Sequence, residues 1–124
     1  MIMQISDVLI ETEGEFIPRF SDSEKYVFAY HVNITNNGDQ NIQILSRFWE
    51  ITDANEKVIH VKGEGLVGKK PTIIPGESFE YTSSVAIATE IGFMSGSYHG
   101  ITQDGELLSF PIDLFTLQIP NKVN

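Results

Sequence analysis

Large apolar side chains recur at every second position in Tyr26-Val27-Phe28-Ala29-Tyr30-His31-Val32-Asn33-Ile34-Thr35, where Tyr26, Phe28, Tyr30, Val32 and Ile34 alternate with smaller or more polar neighbours. Strand side chains point to opposite faces with period two, so the spacing predicts a strand with these five buried on one face and His31, Asn33 and Thr35 on the other. The cluster Asn36-Asn37-Gly38-Asp39 predicts a chain reversal through residues that tolerate positive φ. Ile42 to Thr52 holds Ile44, Leu45, Phe48, Trp49 and Ile51 without clean alternation, the pattern of a central strand that is covered on both sides or carries a bulge.

After a turn at Asp53-Ala54-Asn55, Val58-Ile59-His60-Val61 reads as a short strand running into a glycine cluster. Pro75-Gly76 is a turn signature, because proline presets φ at the first turning position and glycine admits positive φ at the second. Alternation returns in Phe79 to Val85, with Phe79, Tyr81 and Val85 expected inward. Strands are also predicted over Phe93 to Thr102 and Leu107 to Phe115, joined by an Asp104-Gly105 hairpin signal, and over Ile5 to Glu11. No stretch sustains apolar residues at helical spacing, and Ala86 to Ile91 is expected to form at most a turn of helix. Seven short strands predict an all-β, two-sheet antiparallel sandwich of fibronectin type III or immunoglobulin character, with a small closed barrel as the alternative. A single domain is expected over residues 1–124, with its core from about 5 to 117 and with Asn121 to Asn124 fraying.

Composition supports this reading. Hydrophobic residues form 41% of the 124 positions and aromatics 10%, enough for a real core. The formal net charge of −9 disfavours attraction to nucleic acid or to an anionic membrane surface. Cysteine is absent, which removes disulfides, thiolate catalysis and cysteine metal sites, and makes the cytoplasm the default location. Met1 to Glu11 has no positive region followed by an apolar run, so no secretory signal is expected, and no uncharged apolar stretch nears the ~20 residues of a membrane helix.

Gly63-Glu64-Gly65-Leu66-Val67-Gly68 has the letters of a dinucleotide-binding loop, but that chemistry needs a helix N-terminus after the glycines. Lys69-Lys70-Pro71-Thr72 cannot continue as one. A less demanding possibility is an anion site, in which the backbone N–H groups of Gly63, Gly65 and Gly68 form a concavity and Lys69 and Lys70 supply charge. Four of the eight basic residues, Lys57, Lys62, Lys69 and Lys70, fall in or beside this segment. The plainer reading is a surface loop in which glycine serves backbone turns. His31, His60 and His99 have no local pairing on one strand face, so no metal site is predicted and no cofactor is expected. There is no nucleophile elbow or acid–base pair, so no catalytic residues are assigned. Arg47, Phe48 and Trp49 could make an aromatic-basic patch, with core packing of Trp49 preferred.

The chain also resembles the ApaG family, called CorD in some bacteria. The resemblance is carried by Tyr26-Val27-Phe28-Ala29-Tyr30, by Leu45 to Asn55, by Val61 to Pro71, by Ile74 to Ser83, by Met94-Ser95-Gly96-Ser97-Tyr98, and by Phe110-Pro111-Ile112 with Phe115 and Leu117. It departs from the family at Arg19-Phe20-Ser21-Asp22-Ser23. The resemblance implies one ApaG-like domain, a fibronectin III-like sandwich, protein-interaction roles in larger relatives, and an association with cobalt and magnesium resistance. It also implies a suggested pyrophosphate or nucleotide site on Gly63, Gly65 and Gly68. The expectation is a non-enzymatic module that binds a protein partner, with a nucleotide-binding protein as the alternative, a phosphohydrolase less favoured, and homodimerisation through exposed strand edges open.

Overall fold

The computed structural model describes residues 3–120 and has eight strands in two antiparallel sheets. They are β1 (Val8–Phe16), β2 (Tyr26–Asn36), β3 (Ile42–Asp53), β4 (Val58–Glu64), β5 (Thr72–Ile73), β6 (Ser78–Ile87), β7 (Ile91–Thr102) and β8 (Leu107–Gln118). The smaller sheet has the order β1-β2-β6 and the larger β4-β3-β7-β8, with the two-residue β5 also pairing β3. This is the expected all-β sandwich. The called fraying of Asn121 to Asn124 lies outside the described residues, and no described helix is long and apolar enough to cross a membrane.

Phe28, Tyr30, Val32 and Ile34 of β2 are buried, as their alternation requires. They meet a core from the larger sheet centred on Trp49, whose ring takes edge contacts from Tyr30 at 5.3 Å, Phe115 at 5.9 Å and Tyr98 at 6.1 Å. Trp49 is therefore core. β3 is central, pairing with β4, β5 and β7, and the loss of alternation at Leu45 marks a register shift between Ile44 and Ser46 against β7. That bulge changes which parity of β3 faces inward: Ile42 and Ile44 before it, Trp49 and Ile51 after it.

Several expectations are corrected. Ile5 to Asp7 is a 3₁₀ turn rather than strand, closed by the Gln4 N–H donating to the Asp7 carboxylate at 2.8 Å, and β1 starts later and runs on to Phe16. Glutamates fill the outer positions of β1 beyond Ile10, which hides its strand character from a reading for apolar residues. Ala86 to Ile91, expected to hold at most a turn of helix, stays within that expectation: β6 extends to Ile87 and β7 begins at Ile91. The reversal after β2 uses no positive φ at Gly38. Instead the buried Asn36 amide holds it, Nδ2 donating to the carbonyls of Gln40 and Ile73, both at 2.8 Å, while Oδ1 accepts the Gly38 N–H at 2.9 Å. The same side chain thereby fixes β5, which the sequence reading missed. Gly76 and Gly105 do take the positive φ that their turns require.

One side of the sandwich is closed and the other open. β1 packs directly against β8, where a Cβ on Gly14 would meet Leu117 Cδ2 at 3.0 Å. On the opposite side the free edges are β6 of the small sheet and β4 of the large one, and an apolar groove of about 320 Å³ runs between them.

Candidate functional site

The glycine motif lies at the end of β4 and in the loop after it, and each glycine has a local structural cause. Gly63 pairs with Arg47 across the β3–β4 ladder, and the guanidinium lies where a side chain at 63 would be. Gly65 (φ 59) begins the loop with its N–H donating to the Leu45 carbonyl at 2.7 Å. Leu66 and Lys69 then exchange backbone hydrogen bonds at 2.6 and 2.9 Å around Val67 (φ 48) and Gly68 (φ 80), a two-residue turn with both central residues left-handed. Leu66 is wholly buried and anchors the turn in the core. No helix follows; Lys70 leads through Pro71 into β5.

This geometry divides the residues considered for an anion site. Gly63 sits in a strand beneath Arg47, whereas Gly68 and Lys69 lie at the exposed loop tip. The N–H groups of Gly65, Leu66 and Lys69 are taken by backbone carbonyls, leaving those of Val67 and Gly68. Lys70 Nζ lies 3.6 Å from the Glu64 carboxylate.

β4 itself offers a different surface. It ends the larger sheet, and no other strand among the described residues pairs with its outer side. The phase of its hydrogen bonding follows from the two ends of the ladder. The Asp53 N–H donates to the Lys57 carbonyl at 3.0 Å and the Gly65 N–H to the Leu45 carbonyl at 2.7 Å. Hydrogen-bonded pairs alternate in an antiparallel ladder, so Lys57, Ile59, Val61, Gly63 and Gly65 address β3, while Val58, His60 and Lys62 turn both N–H and C=O to the free edge. Val58, Ile59 and Val61 are 48%, 40% and 38% exposed. Ile59 and Val61 share the inner face with Ile51 and Trp49, opposite which they pair, and Ile59 lines the groove to β6 with Ile51, Ala86 and Ile87. Lys25 and Lys57 border that groove.

On the outer face of the same sheet, Ser46, Phe48, Lys62, Ser97 and His99 line a shallow depression of about 690 Å³. Phe48 tilts against the His60 ring at 5.4 Å, and Lys62 Nζ stands 6.0 Å from the Phe48 ring centre. Core packing of Trp49, preferred over an Arg47-Phe48-Trp49 patch, is what the structure has: Phe48 is outside, Trp49 inside, and Arg47 on the inner parity, donating from Nη1 to the carbonyls of Glu64 and Gly65 at 2.9 and 3.0 Å.

The three histidines are dispersed. His31 pairs with Glu15 at 2.9 Å on the small sheet, His60 with Glu50 at 3.0 Å on the large one, and His99 Nε2 lies 3.3 Å from the Ser97 hydroxyl. Among the described residues no group of three His, Asp or Glu side chains is placed to hold one ion. Inside the sandwich the Tyr81 and Tyr98 hydroxyls hydrogen-bond to each other. Burial pushes the Tyr81 hydroxyl up to about 12 and that of Tyr98 further, the nearby Arg47 charge offsetting part of both.

Residues 19–102 match the ApaG domain family. The chain belongs to that family. Protein ApaG of Bordetella pertussis is 42% identical over 120 residues, covering 95% of this chain and 92% of its own. Protein ApaG of Afipia carboxidovorans is 45% identical over 117 residues, covering 93% and 88%. The crystal structure of the putative ApaA protein from Bordetella pertussis superimposes with a TM-score of 0.91 at 42% identity, over 94% of this chain and 96% of that one. The fibronectin III-like sandwich is thus an ApaG sandwich. Sequence reasoning found its glycine loop and missed the β4 edge beside it, because Val58-Ile59-His60-Val61, apolar on both faces, does not tell an edge strand from a central one.

Proposed function

We propose that this ApaG domain is a non-enzymatic interaction module that binds a protein partner through the β4 edge. One observation carries the reading. β4 exposes Val58, Ile59 and Val61 on a free edge with Lys62 as the one lysine of the strand, whereas the edge strands β1 and β8, which expose Leu9, Leu107 and Leu114, pack against each other. β8 carries Pro111 and a register irregularity against β7, β1 presents Glu11, Glu13 and Glu15, and β6 presents Ser78, Glu80, Thr82 and Ser84. On β4, Val58, Ile59 and Val61 stand exposed in a strand with neither proline nor bulge. Any part in cobalt or magnesium resistance then runs through the partner. The test is a photo-crosslinking residue introduced in cells at position 58, 13 or 114, one per surface. A discrete adduct from position 58 is expected, and no adduct from any position would overturn the reading.

A second reading keeps the loop tip as a pyrophosphate or nucleotide site. Its support is the pair of neighbouring Val67 and Gly68 amides left by the turn, flanked by Lys69 in a chain of net charge −9. Titration with pyrophosphate should then shift those two amides, and unchanged spectra at millimolar ligand would end it.

A further inference from the structure

Resting on the interaction reading, we infer the class of partner: an extended segment alternating apolar and acidic residues, added to β4 as a further strand. The backbone supplies the first requirement. Val58, His60 and Lys62 each direct a donor and an acceptor to the free edge, a row that an extended chain can pair with in register. An added strand places alternate side chains on opposite faces of the sheet. Those turned inward meet Ile59 and Val61 and the groove toward β6, which is apolar at Ile51, Ala86 and Ile87. Those turned outward lie beside Lys62.

Charge selects the acidic class. In a chain of net charge −9, Lys57 and Lys62 lie at opposite ends of the free rungs and Lys25 lines the groove together with Lys57. Of the nearby carboxylates, Asp53 is buried and accepts the Asn55 and Lys57 N–H groups at 2.8 and 3.0 Å, Glu50 pairs with His60, Glu64 lies 3.6 Å from Lys70, Glu24 lines the groove and Glu56 is exposed in the turn before β4. Lysines on an edge strand deter pairing with copies of the same strand, and two chains of the same large net charge repel at long range. An acidic segment shares the long-range repulsion of the −9 chain but not the first obstacle, because its carboxylates can pair with Lys57 and Lys62 once it lies on the edge. It gains from the lysines that protect the edge against self-pairing.

The experiment titrates the ¹⁵N-labelled full chain with a synthetic eight-residue peptide alternating glutamate and valine. Two controls replace its glutamates by lysine or methylate alternate backbone nitrogens. Shifts centred on the Val58, His60 and Lys62 amides are expected, with affinity reduced at least tenfold in both controls and in the Lys57→Glu/Lys62→Glu variant. His60→Pro, which removes the central free N–H, should weaken binding with the remaining spectrum intact. Equal binding of the lysine peptide, shifts confined to another surface, or β4-mediated self-association seen by sedimentation would each overturn the inference. A cross-link at position 58 without peptide binding would overturn the partner class and leave the interaction reading standing; failure of both would remove both.

Discussion

Arg47 lies across from Gly63 in the β3–β4 ladder with its guanidinium carbon 2.6 Å from where a Cβ on residue 63 would sit. The contact links the edge strand to the loop, because Nη1 of the same arginine donates to the carbonyls of Glu64 and Gly65. Gly63→Ala must push the guanidinium aside and break both bonds. A hydrogen bond to a charged group contributes about 1.5–3 kcal/mol, so a loss of about 2 kcal/mol is expected, measured by urea unfolding. Hydrogen exchange should quicken at residues 64–70 while the β2 amides keep their relative protection. Unchanged exchange in the loop would show that Arg47 does not hold it.

The loop's own stability should follow Leu66 more than its glycine tip. Leu66 is fully buried, and removing a buried leucine side chain costs about 2–5 kcal/mol. Gly68 has φ 80 but open space where a Cβ would go. Gly68→Ala therefore meets only the left-handed penalty of about 1–2 kcal/mol. Leu66→Ala should be the more damaging of the two in thermal unfolding, and the reverse order would contradict the anchoring role given to Leu66.

These positions show what was legible in the sequence. Period-two alternation identified β2 and its buried face, and the broken alternation of Ile42 to Thr52 left cover on both sides or a bulge as alternatives, of which the β3–β7 register contains the bulge. Both are local patterns, written in consecutive side chains. β5 is held by long-range contacts, its pairing with Ile42 and Gln43 of β3 and the hydrogen bond from Asn36 to the Ile73 carbonyl, which no local pattern encodes. The glycine motif was visible as letters, but Gly63 answers to a side chain on another strand, whereas Gly68 answers to its own turn. Exposure of β4 is a property of strand order. Val58 to Val61 reads alike for a central and an edge strand until topology assigns it to the edge.

Alkaline pH should destabilise the domain through its buried tyrosines. Burial holds Tyr81 near 12 and Tyr98 higher, whereas an unfolded tyrosine titrates near 10. Below pH ~10 both states keep their protons and this stability is fully present. Between pH ~10 and ~12 the unfolded chain releases protons that the fold retains, so stability falls as pH rises, by up to ~1.4 kcal/mol per pH unit for each tyrosine. Tyr81→Phe lacks one titrating group and should lose stability less steeply across that window. It starts lower at pH 7 by about 1 kcal/mol for the lost hydrogen bond to Tyr98. Parallel curves for the two proteins from pH 9 to 12 would refute the assignment.

Proline on β4 tests the edge without any partner. Proline removes one backbone N–H, which is harmful where that group bonds within the ladder and tolerated where it faces solvent. His60 lies on the free phase and Val61 on the phase bonded to β3, so neighbouring positions should respond oppositely. His60→Pro gives up an exposed pair with Glu50, which contributes about 0–1 kcal/mol at the surface, and should leave the unfolding midpoint near that of the parent. Val61→Pro breaks a ladder bond to Trp49 and leaves that carbonyl unpaired, and should cost about 1–3 kcal/mol. Denaturant midpoints of the two variants decide the matter: a strongly destabilised His60→Pro beside a tolerated Val61→Pro would invert the hydrogen-bond phase, and with it the row of groups that β4 offers to a partner.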